Sequence, residues 1–231
     1  MKSIHSLTLN ASLSLALLFY AGALAAQQQT RADNIEQHQS SGQDNIQVLD
    51  LGNTRDGGKS NTRVGDVIQQ QSGVSNRQQA DIGNASGNGR VNSVSVGRVT
   101  QNQSGQQNDQ QLRIGNATDN ARVNRVSVGN VTQSQGGAFN AQRIEIGNAS
   151  GNASVNVSTG NVTQNQNGAL NEQKVRIGNA SGNANVNVSV GDVIQNQSGN
   201  ARAQGIEIGN SSRDSTTIIH GNVVQSSSHR R

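Results

Sequence analysis

The stretch Val131-Thr132-Gln133-Ser134-Gln135-Gly136-Gly137-Ala138-Phe139-Asn140-Ala141-Gln142-Arg143-Ile144-Glu145-Ile146-Gly147-Asn148-Ala149-Ser150-Gly151-Asn152-Ala153-Ser154-Val155-Asn156-Val157 decides the fold. Its apolar and amide residues alternate with small polar or charged ones. Val131, Gln133 and Gln135 form one such series. Asn140, Gln142, Ile144 and Ile146 form the next, and Val155 and Val157 begin a third. A period of two is the signature of a half-buried strand. The Gly/Asn/Ser clusters between the series supply corners that tolerate positive φ. The unit is therefore three short strands, with Thr132, Ser134, Arg143, Glu145, Asn156 and Ser158 facing solvent.

The unit recurs along the chain. Ile-Gly-Asn begins at Ile82, Ile114, Ile146, Ile177 and Ile208, and the variant Leu51-Gly52-Asn53 precedes them, at spacings of 31, 32, 32, 31 and 31 residues. A Gln-x-Gln pair keeps the same phase at Gln69/Gln71, Gln101/Gln103, Gln133/Gln135, Gln164/Gln166 and Gln195/Gln197. Gln37/Gln39 opens the series and Gln225 begins an unfinished unit. The longer spacing has a local source. Val91-Asn92-Ser93-Val94 and Val123-Asn124-Arg125-Val126 hold one residue more than Val155-Asn156-Val157 and Val186-Asn187-Val188. A bulge absorbs one residue without losing the next strand. A repeat kept in phase at this length is the mark of stacked coils.

The expected fold is thus all-β: a repeat β-solenoid of about six coils of 31–32 residues over 35–225. Residues 1–25 are expected to be a signal peptide, 26–34 an N-terminal segment and 226–231 a polar basic tail. Lys2, the apolar run Leu13–Ala21 and the small-x-small site Ala23-Leu24-Ala25 carry the leader reading and imply export. Each coil is expected to have Val and Ile along two sides of a thin interior and amides on the third. A lone buried amide is costly, but a stacked one donates to one neighbour and accepts from the other. The residues expected in such assembly ladders are Gln37, Gln69, Gln71, Asn76, Gln101, Gln103, Asn108, Gln133, Gln135, Asn140, Gln164, Gln166, Asn171, Gln195, Gln197 and Gln225. The inward apolar anchors are Ile82, Ile114, Ile146, Ile177 and Ile208.

Composition agrees. Hydrophobic residues make up 31% and aromatics 1%, with no Cys, Pro or Trp. That is too little for a conventional core, and the lack of Pro spares every ladder donor. Without Cys there is neither a disulfide framework nor a thiolate metal site. The formal charge of +4 is spread along the chain without aromatic partners, which points to no specific nucleic acid. His5, His38, His220 and His229 are isolated. Glu145, Glu172 and Glu207 stand singly on outward positions. No catalytic, metal or cofactor site is expected. Recurring outward arginines (Arg77, Arg90, Arg98, Arg113, Arg122, Arg125, Arg143, Arg176) suit solubility, or an anionic surface or polysaccharide.

The pattern Gln-x-Gly-x-x-Asn at Gln71–Asn76, Gln103–Asn108, Gln135–Asn140 and Gln166–Asn171 resembles the curlin repeat of curli-like bacterial functional amyloids. The curlin Ala is replaced by Gln78, Gln110, Gln142 and Gln173, and the closing Gln by Ile82, Ile114, Ile146 and Ile177. In the fifth unit Arg202 stands where Asn is due. The resemblance implies a subunit on the bacterial outer surface. Such a subunit polymerises into extracellular fibres for biofilm and adhesion, with dedicated secretion and nucleation proteins as partners. The competing expectation is a monomeric secreted solenoid, an adhesin or surface-binding protein, which would show a regular outward array on one side. Here the outward residues vary among Thr, Ser, Asn, Arg and Glu, which disfavours that expectation. Head-to-tail self-assembly is expected through the last segment Val223-Val224-Gln225, read as a single strand of an incomplete coil. The next copy would continue it with Ile35-Glu36-Gln37-His38-Gln39.

Overall fold

A computed structural model describes residues 15–17, 27–40, 46–213 and 216–228. Among these there is no helix, and every strand pairing is parallel. The chain winds as a β-solenoid whose coils carry three faces. A valine face stacks Arg90–Val96, Arg122–Val128, Ser154–Ser158, Asn185–Val190 and Thr216–His220. A glutamine face stacks Val99–Gln103, Val131–Ala138, Val162–Ala169, Val193–Asn200 and Val223–Ser227. The long strands Gln27–Ser40 and Lys59–Ser72 run through both faces and join them into one 12-stranded sheet. A mixed face stacks Ile46–Leu49, Arg77–Gln78, Asp109–Leu112, Ala141–Ile146, Glu172–Ile177 and Ala203–Ile208 in a separate sheet, to which Leu15–Leu17 also pairs.

The register puts each repeat residue on its counterpart. Val131, Gln133 and Gln135 lie against Val162, Gln164 and Gln166 on one side and Val99, Gln101 and Gln103 on the other. The extra residue of the longer units is a bulge, with the pairing of Ser154–Ser158 to Arg122–Val128 slipping between Val155 and Asn156. The two bulged strands match each other, Val91 on Val123 and Val94 on Val126.

The core is thin and continuous. Val, Ile, Leu and Ala from all coils form one buried cluster, in which Ile82, Ile114, Ile146 and Ile177 are fully enclosed. Ile208, one coil from the end, is 7% exposed. The glycine of Ile-Gly-Asn is where the mixed face meets the valine face. A Cβ on Gly178 would sit 2.5 Å from Val157 Cγ2, so only glycine lets the two faces close. At the opposite corner, a Cβ on Gly168 (φ +120) would come 1.9 Å from the carbonyl oxygen of Gly199 in the next coil. A side chain there would force successive coils apart.

The structure changes several expected boundaries. The stack begins at Gln27 rather than Ile35, because Gln27–Ala32 pair residue by residue with Lys59–Val64. The segment 26–34 is thus mostly first-coil strand. Its Gln-Gln-Gln-Thr run has no valine alternation to reveal it. At the other end two strands, Thr216–His220 and Val223–Ser227, stand in the seventh coil where one was expected, and the second reaches into the tail assigned to 226–231. Amides occupy two sides of the interior, since the mixed face carries buried Asn140 and Gln142 beside Ile144 and Ile146. The leader expected over 1–25 lies outside the described residues except for Leu15–Leu17, and the side chain of Gln39 is likewise not described.

Candidate functional site: the amide ladders and the stack ends

The first Gln of each pair builds an unbroken ladder through the core. Gln37 Nε2 donates to Gln69 Oε1 at 2.6 Å, and Gln69 to Gln101 at 2.5 Å. Gln101 donates to Gln133 and Gln133 to Gln164, each at 3.0 Å, Gln164 to Gln195 at 2.9 Å and Gln195 to Gln225 at 3.0 Å. Gln69, Gln101, Gln133, Gln164 and Gln195 are all 0% exposed. Each buried amide is bonded along the stack because its neighbours one coil away are amides of the same length, and Gln101 and Gln133 also donate to the carbonyls of Gln79 and Gln111. The ladder has a polarity, with every Nε2 pointing to the next coil.

That polarity makes the two ends complementary. Gln37 Oε1 is buried and has no donor among the described residues. Gln225 accepts from Gln195 and makes no onward bond among the described residues. A free acceptor therefore stands at the first coil and a free amide N–H at the last. Around them lie strand edges that are open among the described residues, Gln27–Ser40 at one end and Thr216–His220 with Val223–Ser227 at the other. Ala32, Ile35, Ile218 and Val223 are only partly covered by the core they pack on.

The second Gln of each pair behaves differently. Gln71, Gln103, Gln135, Gln166 and Gln197 are buried at 3–4% exposure. Among the described residues Gln166 Nε2 reaches the next coil, bonding Gln197 Oε1 at 3.4 Å. Both amide atoms of Gln103 and of Gln135 have no partner among the described residues. The asparagines form a third kind of row, bonded to backbone. Asn140 N donates to Asn108 Oδ1 at 3.2 Å, Asn171 N to Asn140 Oδ1 at 3.0 Å and Arg202 N to Asn171 Oδ1 at 3.1 Å. Asn140 Nδ2 bridges Gly136 O and Gly168 O across two coils, and Asn76 Nδ2 bonds Ser72 O. Arg202 needs only its backbone N–H, which explains how the fifth unit dispenses with asparagine.

Two rows were not read from the sequence as hydrogen-bonded rows. Gln78, Gln110, Gln142 and Gln173 each donate to the backbone carbonyl eight residues earlier, Gln70, Asn102, Ser134 and Asn165, at 2.5–3.0 Å. They fasten the mixed face to the glutamine face within a coil. The asparagines of Ile-Gly-Asn form a corner ladder in which Oδ1 of Asn84, Asn116, Asn148, Asn179 and Asn210 accepts the backbone N–H of the preceding member, at 2.7–3.0 Å. The signal was present as an invariant-phase Asn, but a turn preference explains the same residue.

Charge is sorted by face. On the mixed face one outward column reads Asp81, Arg113, Glu145, Arg176, Glu207, alternating in sign, with Asp81–Arg113 at 3.5 Å and Glu145–Arg176 at 3.2 Å. On the glutamine face the outward residues from the second coil to the seventh are uncharged. They are Ile68, Gln70 and Ser72, then the corresponding Thr, Asn, Ser and Gly with Ile194 in the sixth coil, ending in Val224, Ser226 and Ser228. The variety of outward residues in the sequence came from pooling three faces, and one face alone is regular. An open groove of about 810 Å³ runs along it between the second and third outward columns, past Asn102, Ser134, Asn165 and Asn196.

Burial raises the pKa of Asp50, and of Asp81, where Asp50 adds to the rise while Gln79 and Arg113 oppose it. A carboxyl whose folded pKa lies above its unfolded value binds protons more tightly when folded. Stability therefore falls as pH climbs from the unfolded value to the raised one. Asp50→Asn should raise the thermal unfolding midpoint at neutral pH. The difference should close as pH is lowered to about 3, where wild-type Asp50 is itself protonated. A pH-independent difference would contradict this account.

Among the described residues no group of His and acidic side chains could hold a metal ion. Compared with family models, with curated proteins and with solved structures, the chain matches none.

Proposed function

We propose that this protein is an exported structural subunit that joins end to end into extracellular curli-like fibres serving biofilm and adhesion. The observation that carries the reading is the complementary pair of ladder ends, a free acceptor on Gln37 and an onward amide on Gln225. Open parallel edges with unpaired N–H and C=O groups are templates for another strand, and here the added strand would continue a buried amide ladder in phase. Val223 and Val224 would extend the rows that hold Ile35 and Glu36 in the next copy, Val67 and Ile68 being the equivalents within the stack. The curlin-like Gln-x-Gly-x-x-Asn series supports the same class, and with it dedicated secretion and nucleation partners. The alternating charge column gives no attraction for nucleic acid.

A second reading, a monomeric solenoid that binds a surface, is favoured by the uncharged glutamine face with its column Thr100, Thr132 and Thr163. Purified protein decides between them. Fibres that bind thioflavin and give a meridional reflection at about 4.8 Å are expected for the subunit. Protein that stays monomeric at high concentration, with or without preformed seeds, would favour the surface binder.

A further inference from the structure

Phe139 is the one aromatic residue after the expected leader, the other two being Phe19 and Tyr20. A chain so sparing of aromatics would bury this one if it served the core. Instead it is 48% exposed, and Leu170, its counterpart one coil on, is 63% exposed. Both sit at the turn between the glutamine and mixed faces in left-handed backbone, φ 55 and φ 58. Such angles are strained for bulky residues. The equivalent Ser75, Gln107 and Ala201 take φ 51, 49 and 54, so the fold fixes the angle and calls for no large apolar side chain. Neither the core nor the turn accounts for Phe and Leu here.

Their position within the stack suggests what does. The uncharged span of the glutamine face runs from the second coil to the seventh, and its midpoint falls between the fourth and fifth coils, which carry Phe139 and Leu170. We propose that this face, with the Phe139–Leu170 pair at its edge, is the surface on which a second copy of the chain packs, pairing fibres side by side. The inference rests on the end-to-end reading above. A twofold axis along the strand direction, between those two coils, lays the face on itself. Phe139 of one copy meets Leu170 of the other and the reverse, as an isologous contact requires. It also sets Thr132 against Thr163 and Ile68 against Val224. An axis along the stack would instead bring Phe139 toward Asn130 at the far corner of its own coil, and would set Asp66 and Arg98, which pair at 3.0 Å in that corner column, against Ser75 and Gln107. Two copies of a chain with formal charge +4 meet at least cost through the span from second to seventh coil that carries no charge, which leaves Glu36 of the first coil outside it. From strand and rung spacings the face offers about 500 Å² per subunit. That falls short of the roughly 800 Å² per partner of a stable complex. Monomers should stay apart, and pairing should appear once fibres add their faces in series.

The test compares full-length wild type with F139S/L170S and, separately, with T132K/N165K. Wild-type fibres are expected in pairs. Both variants should elongate at the wild-type rate but give single filaments, with mass per unit length halved in electron micrographs. Phe139→Gly should also lose pairing while its thermal midpoint holds or rises, since the strain is relieved. A core role for Phe139 would lower the midpoint. Variant fibres that remain paired, or wild-type fibres that run singly, would overturn the lateral contact alone. Absence of any wild-type fibre would sink the end-to-end reading and the pairing with it.

Discussion

A chain carrying Val223→Asp and Gln225→Asp should fold and fail to elongate. In the monomer both positions lie on an outer edge and are only partly buried, so carboxylates there keep access to solvent. The monomer loses one ladder acceptor, Gln225 Oε1, at the last rung. In a joint the same two positions are covered by the next copy. They would face the Ile35 and Gln37 rows, where an unpaired charge costs several kcal/mol. Even ~3 kcal/mol corresponds to about a hundredfold in the association constant. Seeded thioflavin kinetics should therefore show growth reduced by at least that factor, with an unchanged circular dichroism spectrum. Elongation at the wild-type rate would mean that fibres do not grow through this edge.

Much of the architecture could be read from the sequence because a solenoid translates phase directly into position. Ile82, Ile114, Ile146 and Ile177 recur at 31 or 32 residues, and each falls in the same buried place. The bulge at Asn124 was legible as one residue too many between two valines. What escaped had no periodic marker. The first-coil strand before Ile35 contains Thr30 and Ala32 where later coils have valines, so alternation was missing although the backbone pairing is complete. The charge-free face was hidden because outward residues of three strands were read as one set. The strain at Phe139 is a backbone angle, which no side-chain pattern reports.

The Gln-x-Gln pair shows the limit most clearly, since sequence gives both glutamines the same standing. The two should respond in opposite ways to removal of the amide. Gln133→Met keeps length and bulk but takes away the acceptor of Gln101 and the donor to Gln164. Gln101 Nε2 retains the carbonyl of Gln79 at 3.2 Å, whereas Gln164 Oε1 is left bare in a site that is 0% exposed. A buried polar atom without a partner costs about 1–3 kcal/mol on top of the lost bonds, so a loss of ~2–4 kcal/mol is expected. Because bonds in a chain polarise one another, the damage should spread beyond the two broken links. Gln135→Met, two residues on, removes an amide whose two polar atoms already lack partners. A thioether of similar volume suits that site better than an orphaned amide. The change should be neutral within ~1 kcal/mol or stabilising, since volume-conserving swaps to apolar groups are the best tolerated. Denaturant midpoints of the two single variants, measured on monomer before any fibre appears, supply the comparison. Equal destabilisation would show that both rows bond along the stack in solution. The ladder would then be twice as wide as Gln37 to Gln225 alone, and the end contact would have to join two amide rows rather than one.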